Sequence, residues 1–197
     1  MRVADNLILG VDPGGRHTGF GLIQVGPGET LLLVAQGCFS PDQTWPYPRR
    51  LAYIYYGLDE LILNYRPGAV AVEGLFVGQN IRSVLSLAQV RGVVLLAAAK
   101  GGAKVFEYAP RLVKNTVVGY GQAEKKQVAR MVTELLHLTE VLAADAADAL
   151  AVAICHAAQM RLSRRLPGLS SRHLRRVGWR NLTTEDLATL NYDPDKK

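Results

Sequence analysis

The sequence predicts an α/β fold in which a mixed sheet carries helices on its faces. Three strand-like apolar runs come first, joined by turns too short for a crossover, and helix and strand patterns then alternate down to about residue 162. A further observation locates the chemistry. Acidic residues close two of the buried apolar runs, where a carboxylate contributes nothing to packing and costs free energy if it stays unpaired.

Residues 7–12, 18–25 and 30–39 read as strands. Asp12-Pro13-Gly14-Gly15 and Gly26-Pro27-Gly28-Glu29 separate them, turn chemistry that fits antiparallel hairpins. After a loop from Pro41 to Pro48, apolar residues at Leu51, Ile54, Tyr55, Leu58, Leu61 and Ile62 form a helical stripe within 49–65, ended by Arg66-Pro67. A buried strand is expected at 69–73, a helix at 81–99, a strand at 105–108, a short helix at 110–118, a longer one at 123–138 and a last core helix at 143–162. No internal repeat is visible.

A chain of 197 residues with 49% hydrophobic content buries one sizeable core and leaves little for another. The expected organisation is therefore one domain, 1–162, followed by a tail, 163–197, that is basic and then acidic. That tail reads as a disordered arm or a short added helix. Cys38 and Cys155 lack Cys-x-x-Cys spacing and paired histidines, which argues against zinc and for reduced, buried thiols in a cytoplasmic protein. No stretch approaches the ~20 uncharged apolar residues of a membrane span, and the N-terminus has no signal-peptide pattern.

The formal net charge of +6 is unevenly placed. Seven arginines and no acid lie between Arg161 and Arg180, so the remaining chain nets −1. Residues 82–130 hold nine Lys/Arg against Glu107 and Glu124, and the flanking segments are acidic. A basic surface around an acidic centre suits an enzyme that grips a polyanion and holds metal. A solvated lysine-rich helix face accounts for the composition alone equally well.

Asp12 closes the run 7–11 and Glu73 closes 69–72. In open α/β sheets, ligands bind beyond the C-terminal ends of parallel strands. Asp145 and Asp148, three residues apart, share one face of the last helix with Val152 and Cys155, the face expected to look inward. Taken alone, Asp145 is a helix cap and Asp148 a first-turn acid favoured by the dipole. Capping does not explain acids that end two buried strands. If the helix crosses those strand ends, four negative groups converge and repel unless cations sit between them, which points to a divalent-metal site.

Four segments, ILGVDPGGRHTGFG (8–21), AVAVEGLF (69–76), KVFEYAPRLVKNTVVGYGQAEKKQVARMV (104–132) and AADAADALAVAI (143–154), resemble in order and spacing the RuvC-type Holliday-junction resolvases, over about 7–160. The resemblance implies a ribonuclease-H-like fold: a five-stranded mixed sheet, its first three strands antiparallel, flanked by helices. It implies a homodimer that nicks opposed strands of a four-way DNA junction symmetrically during recombination and repair, leaving 5′-phosphate and 3′-hydroxyl ends. The expected cofactor is Mg²⁺, two ions per active site, with Mn²⁺ as a substitute, and the expected partner a branch-migration complex of the RuvA/RuvB type. Position by position, it places catalytic, metal-binding acids at Asp12, Glu73, Asp145 and Asp148. Lys114 and Lys125 match contacts to the DNA backbone near the scissile phosphate, Phe76 an aromatic aimed at bases of the crossover, and Arg82 and Lys126 further phosphate contacts. The helix from about residue 81 resembles the dimer-forming element. Gly74 departs from a polar residue common in the family, and Gly15 from a small hydroxyl residue; either change bears on loop shape or base preference.

Two other readings compete. A nuclease of the same fold acting on an RNA–DNA hybrid or a structured RNA fits the four acids, but not Phe76 together with 104–132. The loop DPGGRHTG also resembles the phosphate loop of actin-like ATPases and sugar kinases. Those proteins use a duplicated domain and a second glycine-rich loop, and this sequence has neither. A non-catalytic junction scaffold leaves four retained acids unexplained.

Overall fold

In the computed structural model, which describes residues 6–74, 81–140 and 142–165, the five expected strands form a single mixed sheet. Its strands are β1 (Leu7–Asp12), β2 (Thr18–Val25), β3 (Leu31–Phe39), β4 (Ala69–Glu73) and β5 (Lys104–Tyr108), in the order β3-β2-β1-β4-β5. The tight connections after β1 and β2 give antiparallel pairs, as their length requires. β4 and β5, each reached through a helix, run parallel to β1 and to each other. The helices are α1 (Tyr47–Tyr65), α2 (Ile81–Lys100), α3 (Pro110–Val118), α4 (Lys125–Leu135) and α5 (Ala144–Arg165).

Side-chain alternation along the strands divides the core. Leu9, Val11, Val70 and Val72 point to one face, where Ile54, Leu58 and Ile62 of α1 and Val90, Val94 and Ala97 of α2 cover them. Ile8, Ala71 and Tyr108 point to the other, beneath α3, α4 and α5, which is buried from 149 to 157. Two glycines permit α5 to lie this close. A Cβ on Gly10 would meet the Ala149 carbonyl oxygen at 2.1 Å, and one on Gly19 would meet that of Asp145 at 2.0 Å. The alanines of α5 serve the same approach from the helix side.

The helix ends differ from expectation in three places. α1 starts at Tyr47, because Pro48 in its first turn has no N–H to lose there. α4 starts only at Lys125, since Glu124 and Gln127 close a reciprocal capping box, and it stops at Leu135. α5 extends to Arg165, three residues past the expected end.

Ser83–Lys100 is long and apolar enough to cross a membrane by length and composition alone. Within the fold, however, Arg91 pairs with Glu107 of β5, while Val90, Val94, Ala97 and Ala98 are buried against the sheet and α1. The sequence expectation looks for an uncharged stretch, and the helix reaches its length by including paired charges.

Candidate active site

The register of β1 and β4 fixes the first two acids. Val11 lies beside Val72, so the next residues, Asp12 and Glu73, leave adjacent parallel strands together. Asp12 has the same parity as Ile8, and Glu73 the same as Ala71, so both carboxylates face α5. The opening turns of that helix, brought over the strand ends by Gly10 and Gly19, carry Asp145 and Asp148.

Burial pushes the Asp12 carboxyl well above the usual carboxylate range, and the neighbouring charges of Glu73 and Asp148 push it further. Glu73 is also raised, again chiefly by burial, although a hydrogen bond from the Asp12 carboxyl and the nearby Lys125 and Lys114 oppose the rise. Without a cation, burial and mutual repulsion therefore favour a proton on the Asp12–Glu73 pair, with the Asp12 carboxyl raised the more clearly. Lys125 Nζ lies 2.5 Å from Asp148 Oδ2, and this bond raises the lysine pKa. Three converging, partly buried carboxylates with one proton held between two of them form an oxygen-only donor set short of positive charge. That set fits a hard divalent cation such as Mg²⁺.

Asp145 has different company. Cys38 Sγ, on the β3 edge, is 3.7 Å from Asp145 Oδ2. His17, Cys38 and Asp145 each bring a ligand atom within 4.8 Å of the others. Ser40 Oγ lies 2.9 Å from His17 Nδ1 and 3.5 Å from Cys38 Sγ. This corrects the expectation of two buried thiols: Cys155 is buried, whereas Cys38 is half-buried at the site. Its position follows from the β2–β3 register, which pairs Cys38 with Gly19, the residue pressed against Asp145.

Of the expected DNA contacts, Lys114 and Lys125 lie near enough to the carboxylates to act on their charge. Lys126 lines a cleft of about 550 Å³ beside Asp148, together with Arg130, Thr133 and Leu142. Phe76 lies outside the described residues, and Arg82 is placed only by its backbone on α2. A side chain at Gly15 would meet Ser86 Oγ at 2.7 Å, while the Gly74 N–H is bonded to the Tyr108 carbonyl at 2.8 Å. Sequence reasoning missed His17, Cys38 and Ser40 around Asp145, because no motif spacing links residues so far apart. It also missed His156, buried 2.6 Å from the Tyr108 hydroxyl; a lone histidine in an apolar helix was the available signal.

Three antiparallel strands, two parallel strands, carboxylates ending β1 and β4, and more on a helix across them define a ribonuclease-H-like nuclease. Comparison with known proteins narrows this. The family model for crossover junction endodeoxyribonuclease RuvC matches residues 8–156. A crossover junction endodeoxyribonuclease RuvC from Geobacter sp. (strain M21) is 47% identical over 163 residues, covering 83% of this chain and 99% of that relative. The structure of Thermus thermophilus RuvC in complex with Holliday junction substrate superposes with a TM-score of 0.75 at 33% identity, covering 80% of this chain and 96% of that one. The yeast mitochondrial Holliday junction resolvase Ydc2, 13% identical with a TM-score of 0.56, shares the fold. The chain belongs to the crossover junction endodeoxyribonuclease RuvC family.

Proposed function

We propose that this protein resolves four-way DNA junctions by paired, symmetric nicks in opposed strands, serving recombination and repair in the cytoplasm. The observation that carries the reading is the convergence of Asp12, Glu73 and Asp148 at the strand ends, in a chain of the RuvC family. Asp12 and Glu73, on rigid adjacent strands, fix the floor of the site, and α5 supplies Asp148 and Asp145. These four carboxylates would hold two Mg²⁺ ions, or Mn²⁺ in their place, which would supply activation of a water, charge neutralisation at the scissile phosphate and stabilisation of the leaving oxygen. Hydrolysis joins the water oxygen to phosphorus and breaks the bond to the 3′ oxygen; the water gives up a proton to solvent and the leaving oxygen takes one, so the products are a 5′ phosphate and a 3′ hydroxyl.

Lys114, Lys125, Lys126 and Arg82 hold the DNA backbone without reading its sequence, and Phe76 wedges against bases at the crossover. The residues after Arg165, where α5 ends, make up most of the basic and then acidic tail, whose arginines add to the positive charge available to phosphates. Paired nicks require two sites related by the two-fold symmetry of the junction, hence a homodimer. Exposed Leu85 and Leu96 on α2 support that element as the contact between subunits. A branch-migration complex of the RuvA/RuvB type is the expected partner.

The test compares a synthetic mobile four-way junction, a linear duplex and an RNA–DNA hybrid in Mg²⁺ or Mn²⁺. Paired nicks confined to the junction are expected. Preference for the hybrid moves the protein to the other nuclease reading.

A further inference from the structure

Beside the oxygen-only carboxylates lies a set of ligands of different chemistry. His17, Cys38 and Asp145 offer an imidazole nitrogen, a sulfur and a carboxylate oxygen, all within 4.8 Å of one another. Mixed N, S and O ligands select a borderline-soft ion of the Zn²⁺ class over Mg²⁺. The metal–ligand lengths of zinc imply ligand–ligand edges of about 3.3–3.7 Å in a tetrahedron. Cys38 Sγ and Asp145 Oδ2, 3.7 Å apart, already lie at such an edge. His17 is exposed, so its ring is free to close the remaining gap, and the Ser40 hydroxyl bonds it on the Cys38 side. A water completes the fourth position, as in other three-ligand zinc sites.

We propose that His17, Cys38 and Asp145 form a second cation site, for Zn²⁺ or a similarly soft divalent ion, whose occupation holds the Asp145 carboxylate away from the catalytic carboxylates and stops nicking. The inhibitory half of this proposal rests on the reading of Asp145 as a catalytic ligand. Binding exchanges the Cys38 S–H for an S–metal bond and releases the proton to solvent, with no change of oxidation state. Mg²⁺ gains little from thiolate or imidazole and does not enter this site, but it opposes zinc indirectly by drawing Asp145 to the catalytic carboxylates.

Cobalt(II) tests the site directly, because Co²⁺ bound to thiolate absorbs in the near ultraviolet. Titration of the full chain, kept reduced by a phosphine, should produce a thiolate–cobalt band that saturates at one ion per chain. Zn²⁺ should displace the ion outright, whereas excess Mg²⁺ should only raise the Co²⁺ concentration needed for half-saturation, by competing for Asp145. Cys38→Ser should abolish the band, and His17→Ala should weaken Co²⁺ binding by at least about tenfold. In Mg²⁺-dependent nicking of a four-way junction, both variants should match wild type without zinc and need at least about tenfold more Zn²⁺ for half-inhibition. Absence of the band, or a band that survives Cys38→Ser, overturns the site. Equal zinc sensitivity in wild type and both variants overturns the coupling to catalysis. Wild-type nicking by Asp145→Asn would instead remove Asp145 from the catalytic set, an outcome the cobalt band distinguishes because it requires no activity.

Discussion

Lys125 Nζ lies 2.5 Å from Asp148 Oδ2, tying the first residue of α4 to the second turn of α5 at the edge of the carboxylate cluster. The lysine offsets part of the repulsion among Asp12, Glu73 and Asp148, yet most of its side chain is exposed and free to turn toward a DNA phosphate. Lys125→Met should lower single-turnover nicking by about 10²-fold, as removal of one charge-stabilising donor does elsewhere, and leave junction affinity within a few-fold. A mobility-shift titration run beside the cleavage assay separates the two. Equal losses of affinity and rate would make Lys125 a general phosphate contact.

The proton shared by Asp12 and Glu73 predicts a calorimetric signature. Burial raises both carboxyls, and metal coordination needs both ionised. Mn²⁺ binding at neutral pH should release about one proton per chain, and affinity should fall as the pH is lowered. Titrations in two buffers of different ionisation enthalpy report the release. Heats independent of buffer would mean that the pair is already ionised.

Stability should carry the mark of His156. Burial pushes its pKa down to about 4 from an ordinary value of 6.5, so the unfolded chain binds the proton more readily than the folded one. The contribution of the neutral imidazole is complete above pH 6.5 and is lost as the pH falls toward 4. Between pH 7 and pH 5, denaturant unfolding should show a loss of about 2 kcal/mol from this group. His156→Gln should remove most of that slope. An unchanged slope in the variant would assign the acid sensitivity to the carboxylates.

How much of this was legible in the sequence depends on whether the cause is local. The strands were legible because Pro-Gly turns and apolar runs are local signals, and Asp12 and Glu73 stood out because an acid ending a buried run has few structural uses. The limits of α4 were not, because apolar periodicity runs on through Leu136 and Leu138, while the Glu124–Gln127 box and the left-handed backbone of His137 set the actual ends. The surroundings of Asp145 were invisible for another reason. Cys38 meets it across 107 positions, only after the β2–β3 hairpin is laid against α5.

The basic arm makes a separable prediction. Of the seven arginines between Arg161 and Arg180, four lie beyond Arg165, and the four acids and the basic stretch 82–130 precede them all. Truncation after Arg165, where α5 ends, should preserve nicking at saturating junction. The slope of log affinity against log salt should become shallower by about 0.9 for each phosphate that the arm no longer neutralises. An unchanged slope would remove the arm from the DNA interface, and loss of nicking at saturation would make it part of the catalytic architecture.

The central claim is that Asp12, Glu73, Asp145 and Asp148 together hold the metal that cuts DNA, and amide substitution tests it most directly. Asp12→Asn, Glu73→Gln, Asp145→Asn and Asp148→Asn keep side-chain shape and remove the charge that binds a hard cation. Single-turnover nicking of a four-way junction should fall by at least about 10³-fold in each, the scale of losing an essential electrostatic element of an active site. Junction binding should stay within a few-fold of wild type, because it rests on the basic surface. Nicking at a near wild-type rate by any one of the four would contradict the assignment of that residue, and by Asp12→Asn or Glu73→Gln would contradict the account as a whole.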